Sequence, residues 1–260
     1  MKSTSNALEI DLSRFSKIGL SSLGQEHLLD RVDTKFATHT SCLSSLLPQL
    51  ESSYQILVVE DSGIQPYRNL YFDDEKLSFY FHHHDKKGNR CKVRLREYSS
   101  TGTIFFEIKQ KVNKNRTIKQ RVQHIAFNEA LSPDAQELLQ QHVPPTTSSL
   151  RSTLWCDFNR ITLLSPNQDE RMTIDYNIKV RNTENAKEYS GLALIEIKHA
   201  SSGPSSFDAV AKKNGIKKIS ISKYIMGVAN LHPQLKQNNF RMKLLAIEKI
   251  MNKTEAHHGI

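Results

Sequence analysis

Three long cations on one side of a single extended segment are the first chemistry this sequence offers. The stretch CKVRLREY, residues 91–98, alternates strictly, so Lys92, Arg94, Arg96 and Tyr98 share one side of a strand and Val93 and Leu95 the other. The pattern recurs in Glu107, Lys109 and Lys111, in Lys119 and Arg121, in Arg171, Thr173 and Asp175, and in Glu196 and Lys198. Arg offers a bidentate fork to phosphate oxygens and Lys a point charge, so such faces suit a chain of phosphates. At an effective dielectric of about 20, a cation and a phosphate oxygen ~4 Å apart attract by ~4 kcal/mol before desolvation. The carboxylates Glu107 and Glu196 have two readings. Either they neutralise neighbouring Lys, or one of them holds Mg2+ or Mn2+, which is bound through a carboxylate plus substrate phosphates. Glu196, two residues from Lys198 in IEIKH, is the first choice for the metal.

The charge distribution sharpens this. The net charge is +9, and residues 86–121 hold twelve Lys and Arg against Glu97 and Glu107, so the rest of the chain sums to −1. A positive field this concentrated points to a polyanionic partner. Single-strand binders pair basic grooves with stacking aromatics, and the densest cationic face offers only Tyr98, which argues against nucleic acid. Other chemistries lack their residues. No Ser-His-Asp or Cys-His constellation is evident, and three widely spaced cysteines form neither a disulfide framework nor a zinc pattern. Gly19 to Gly24 has P-loop spacing, but Gln25 stands where the Lys belongs. His82-His83-His84, read on a strand, places at most two imidazoles on one face and suits a hairpin end better than a metal. With no apolar leader and aliphatic runs of four residues at most, a cytoplasmic protein without an integral membrane segment is expected.

Runs of strand length must position these residues. RVDTKFAT, YRNLYFDDE, LSFYFHHH, RCKVRLREY, TIFFEIKQK, TIKQRVQHIAF, LWCDFNRITLL, RMTIDYNIKV and LALIEIKHA are separated by short turn candidates, which favours an antiparallel meander. Helix is expected in a lead-in over residues 1–28, in THTSCLSSLLPQL, over 128–142 and 207–213, after Ser222, and over an amphipathic 240–251. The charged side of each strand is either solvent, as in any half-exposed sheet, or the lining of a closed structure. Like charges crowded on one face repel, and several helices are available to cover the apolar side. The expected fold is therefore α+β: a closed antiparallel β-barrel tunnel of about eight strands, cationic inside, with helices packed outside. Residues 1–28 form the lead-in, 29–230 the tunnel domain and 231–260 a C-terminal helix and tail.

Seven segments in order resemble the VTC (vacuolar transporter chaperone) polyphosphate polymerase domain, within the CYTH or triphosphate-tunnel group. RVDTKF is similar to an opening R-x-[DE]-x-K-[YF], NLYFDD to a Y-F-D strand and KVRLREY to an R-x-R strand. FFEIKQK and ALIEIKH match E-x-K strands, DFNRITL an N-R strand, and SKYIMGV an S-K-[YF] helix start. The resemblance implies metal-dependent transfer of the γ-phosphoryl group of ATP to inorganic polyphosphate. It implicates Lys35, Arg94, Arg96, Lys109, Lys119, Arg160, Arg171, Lys198, Ser222 and Lys223 in phosphate binding and Glu196 at the metal. Cyclases and triphosphatases of the group open with E-x-E-x-K; here Arg31, Asp33 and Lys35 stand there, which disfavours a two-metal hydrolase. Arg94, Arg96, Lys109 and Lys198 are expected to hold the reacting triphosphate, with Lys92, Lys111 and Arg121 extending the grip. The alternatives are a triphosphatase or cyclase of the same architecture and a non-catalytic polyphosphate binder.

Overall fold

The computed structural model describes residues 10–22, 31–112, 116–143, 149–200 and 204–253. The chain runs β1 (Lys17–Gly19), β2 (Arg31–His39), α1 (Leu43–Leu46), β3 (Gln55–Val58), β4 (Ile64–Asp73), α2 (Ser78–His84), β5 (Arg90–Tyr98), β6 (Thr103–Val112) and β7 (Arg116–His124). It continues through α3 (Pro133–His142), β8 (Arg151–Leu164), β9 (Glu170–Arg181), β10 (Ala186–Tyr189), β11 (Leu192–Ala200), α4 (Ser206–Lys213), β12 (Lys217–Lys218), α5 (Lys223–Leu231) and α6 (Arg241–Met251).

All twelve strands join one sheet, ordered β12-β2-β11-β9-β8-β4-β5-β6-β7, with β1, β3 and β10 on side branches. Its pairs are antiparallel except β1 with β3. This corrects the expected closed barrel of about eight strands. β7 and β12 stand at opposite ends of the ladder and do not pair, so the sheet is open. Closure fails where the strands run out: β12 is two residues long, and the chain then turns away into α5. β7 stands at the end of the sheet order and carries Lys119 and Arg121, and cations on an edge discourage pairing with another chain.

Apolar strand faces are covered by helices, as the alternation requires. Leu70, Val93, Leu95, Phe106 and Ile108 pack with Phe79 of α2 and Ala135 of α3. Phe36, Ile161, Leu163, Ile174, Ile195 and Ile197 pack with Leu43 and Leu46 of α1 and Phe207 of α4. One helix departs from the expected layout. α5 lies on the inner face of the sheet, against Tyr71, Leu154, Cys156, Ile178 and Val180, which share the side that carries Arg94 and Arg96. A Cβ at Gly227 would come within 2.6 Å of the Leu154 side chain, so glycine permits the close approach of α5 to β8.

LSFYFHHH is helix α2 where a strand was expected, and the reason lies just before it. Asp73 accepts from the backbone N–H groups of Phe79 (2.9 Å) and Tyr80 (3.0 Å), and Asp74 accepts from Ser78 (2.9 Å), so the first-turn donors are satisfied. Asp73 also accepts from the Tyr224 hydroxyl, which ties α5 to α2. In the expected lead-in, residues 10–22 hold β1 and one 3-10 turn; the remainder, including Gly24, lies outside the described residues, as do Pro144 and Pro145. Among the described residues no helix is long and apolar enough to cross a membrane.

Asp73→Ala would strip the cap of α2 and orphan the buried Tyr224 hydroxyl. The expected loss is about 2–4 kcal/mol of unfolding free energy by urea titration. A loss below ~0.5 kcal/mol would show that α2 holds without its cap.

Candidate functional site

Lys35 on β2 and Lys119 on β7, near opposite ends of the sheet order, line one cavity of about 240 Å3, so the open sheet is strongly curled. Nine basic and three acidic side chains line it. Seven strands and the start of α5 contribute these charged groups, and the order of the sheet explains how. β5, β6 and β7 follow one another at one end of the ladder, while β11 and β2 arrive from the other end.

Two carboxylates act as bridges. Glu107 is directly across from Arg94 in the β5–β6 ladder and 2% exposed. Its Oε2 accepts from Arg94 Nε (2.8 Å) and Nη2 (2.6 Å), and the Lys119 ammonium is 2.8 Å from Oε1. Burial alone would raise this carboxyl, but Arg94, Arg96 and Lys119 outweigh burial and hold it far below the usual carboxylate range. Asp175 on β9 does the same for Arg160 and Lys223. Arg160 forks onto it at 2.6 and 2.7 Å, Lys223 donates to Oδ2, and against its burial these cations keep the carboxyl at about 2. Sequence placed Asp175 on the charged stripe with no role; its partners come from β8 and α5, which no spacing rule links.

Glu196 on β11 is different. It forms an ion pair with Lys35 at 2.6 Å, and its side chain is 24% exposed. Burial raises its carboxyl, and Lys35 and Lys198 more than offset that, so it stays ionised. Among the described residues no group of three or more His, Cys, Asp or Glu could hold a metal ion. The donor set therefore fits a metal bound by one carboxylate and completed by substrate oxygens. Glu107 is enclosed, with Oε2 held by Arg94 and Oε1 2.8 Å from the Lys119 ammonium but without a hydrogen-bond partner, so Glu196 is the more accessible of the two expected ligands.

Several cations are left without acids. Arg96 is 8% exposed and donates to Asn69 Oδ1 (3.0 Å); burial first, then Arg94, lowers its proton affinity. Lys92 and Lys109 have no ion-pair partner among the described residues. Burial, with Lys109, Lys35 and Arg94 nearby, pushes Lys92 down to about 7. Ser222 accepts from the N–H of Ile225 and caps α5. Of the expected phosphate ligands, Lys35, Lys92, Arg94, Arg96, Lys109, Lys119, Arg160, Lys198, Ser222 and Lys223 line the cavity. Lys111, Arg121 and Arg171 do not: Lys111 pairs with Arg90 near the strand end, Arg171 is across from Lys198, and Arg121 lies 4.6 Å over the Phe105 ring. The His82–His84 run is helical; His84 is buried on Asn238 and Asp85.

A Lys whose folded pKa lies below its unfolded value binds fewer protons folded than unfolded between the two. Stability therefore rises with pH across that window. For Lys92 the window runs from about 7 up towards the ordinary Lys value. Lys109, Lys119 and Lys223, also lowered by burial, add the same sign. The ligand-free protein is expected to melt higher at pH 9 than at pH 7, and tripolyphosphate to flatten that slope. Lys92→Met should raise the ligand-free melting temperature while weakening tripolyphosphate binding. A lower melting temperature in the variant would mean that Lys92 is not an uncompensated charge.

Among curated proteins no sequence matches. Solved structures with a similar outline include the PH1819 protein of Pyrococcus horikoshii OT3, 12% identical with a TM-score of 0.46 over 79% of this chain and 99% of that one. Another is a Hippeastrum protein assigned as an adenylyl cyclase with a dominant triphosphatase activity, 10% identical with a TM-score of 0.45 over 77% of this chain and 96% of that one. The VTC domain matches residues 30–232, from the start of β2 to just past the end of α5, and so spans every strand and helix that lines the cationic cavity. By that match the chain belongs to the VTC domain family.

Proposed function

We propose that the protein is a metal-dependent polyphosphate polymerase that transfers the γ-phosphoryl group of ATP to inorganic polyphosphate held in the cationic cavity. The observation that carries this is the charge imbalance: nine bases against three acids, with two of the acids each consumed by two cations. Such a site is costly empty and stabilised by a chain of phosphates.

The residues divide by how they are held. Arg94, Arg160 and Lys223 are fixed by Glu107 and Asp175, so their positions are set before a ligand arrives. Lys92, Lys109 and Arg96, with no acid partner among the described residues, supply charge directly to phosphate oxygens, joined by Lys198 and Lys35 from β11 and β2. Ser222 orients the start of α5, whose free N–H groups suit a phosphate. Phosphoryl transfer needs alignment and neutralisation of charge more than covalent help. The acceptor is a phosphate oxygen already anionic near neutral pH, so no general base is required. Glu196 would hold the Mn2+ or Mg2+, which supplies neutralisation of the γ-phosphoryl charge when bound. With one carboxylate available, a single substrate-shared metal is favoured over a protein-held pair, and polymerase over triphosphatase. A cytoplasmic location suits ATP as donor and three free cysteines, Cys42, Cys91 and Cys156.

Incubation with ATP and Mn2+ separates the possibilities. A ladder of chains on a gel is expected; release of orthophosphate alone would make the protein a triphosphatase, and binding without turnover a polyphosphate-binding module. Arg94→Ala should lower chain synthesis by ~100-fold or more, the scale of losing a preorganised donor to a developing charge, with an unchanged circular dichroism spectrum. Undiminished synthesis in that variant would remove Arg94 from the site.

A further inference from the structure

A second cavity, of about 350 Å3, adjoins the first. Lys35, Lys92, Ile221 and Ser222 line both, so the two share a wall. The new lining comes from His83 of α2, Lys86 and Arg90 around the turn into β5, and Phe240 and Lys243 at the start of α6. We propose that this second cavity is a separate phosphate-binding subsite, built on α2 and α6, for a phosphate-type polyanion outside the reacting triphosphate.

Two independent observations support it. The lining holds five Lys and Arg side chains and no Asp or Glu. Lys35 is taken by Glu196, and Arg90 donates to the carbonyl of Lys87, but Lys86, Lys92 and Lys243 have no ion-pair partner among the described residues. Burial and then the charge of Lys86 lower the proton affinity of Lys243, so the cluster is electrostatically strained while empty. The second observation is His83, whose Nε2 is buried without a hydrogen-bond partner. Burial, reinforced by Lys92 and Arg90, pushes the ring down to about 2 and keeps it neutral. A buried, unpaired ring nitrogen on the wall of a cationic cavity has a use if a ligand oxygen completes it. Phe240 and Lys243 fall beyond residues 30–232, so part of this subsite is added by the chain outside its family match.

The proposal rests on the phosphate chemistry of the first cavity. The shared chemistry, a multiply charged phosphate, could come from the far end of the chain seated in the first cavity or from a separate free phosphate or pyrophosphate. Lys86 and Lys243 touch neither the first cavity nor its carboxylates, so the double variant Lys86→Glu/Lys243→Glu isolates the second. Isothermal titration would follow tripolyphosphate, a longer polyphosphate and pyrophosphate, with Lys86→Ala/Lys243→Ala as a milder variant if the first misfolds. Tripolyphosphate affinity within about twofold of the parent, with longer polyphosphate weakened about tenfold or more, supports the subsite as the seat of the chain's far end. Loss of a second pyrophosphate-binding event, with long chains unaffected, supports it as a site for free phosphate. Titrations indistinguishable from the parent for all three ligands overturn it and leave the first cavity's reading intact. No binding of any of the three by the parent protein overturns both.

Discussion

Mutual repulsion among cations on one concave face is the constraint that the rest of this structure answers. Two unit charges ~6 Å apart at an effective dielectric of about 20 repel by ~3 kcal/mol, and the cavity crowds nine bases together. Glu107 and Asp175 meet part of this by bridging two cations each, one between β5, β6 and β7 and the other between β8, β9 and α5. The remainder is offset on the outside of the sheet and under α5. There each fully buried Leu, Ile or Phe contributes about 1.5–3 kcal/mol, and three clusters of such residues are present. The greasy surfaces hold the polar one in a shape it would not keep alone.

Much of this was legible because strand alternation is a rigid rule. Val93 and Leu95 had to face one way and Lys92, Arg94 and Arg96 the other, and eight of the nine runs read as strands are strands. What failed was less local. Closure depends on whether the first and last strands meet, and no residue pattern in β7 or in the two-residue β12 reports that. LSFYFHHH has strand-like composition, yet Asp73 and Asp74 sit just ahead of it with carboxylates placed for its first turn, so capping overrode propensity. The short β3 and β10 pair with stretches of the longer β8 and β9, and β1 pairs with β3.

The site was legible to the same depth. Position on a charged face came from sequence; position along it did not. Lys111, Arg121 and Arg171 have the right parity and still miss the cavity, although Arg121 and Arg171 are directly across from Glu107 and Lys198, which line it, so parity assigns a face and not entry into the cavity. The roles of the acids were also hidden. Glu107 and Glu196 occupy similar E-x-K sequences, but Glu107 lies enclosed between Arg94 and Lys119 while Glu196 pairs with Lys35 and stays partly exposed, and that difference in surroundings separates a bracket from a candidate metal ligand.

α5 converts a curled sheet into a binding site, and it does so from the inside. Its apolar side covers the half of the concave face that Leu154, Cys156, Ile178 and Val180 make greasy, which leaves the ionic half as the open cavity. Gly227 allows that depth, Tyr224 anchors to Asp73 beneath α2, and Lys223 completes the bridge at Asp175. Without α5, Asp175 would face Arg160 alone and the apolar half would lie open to water. Docking of this late helix therefore assembles the charge network and seals the core in one step, so the geometry that grips phosphate exists only in the fully folded chain. The ionic half can then carry excess positive charge, because the helix that defines it is held along most of its length by apolar contacts, with Lys223 at Asp175 and Tyr224 at Asp73 fixing its start.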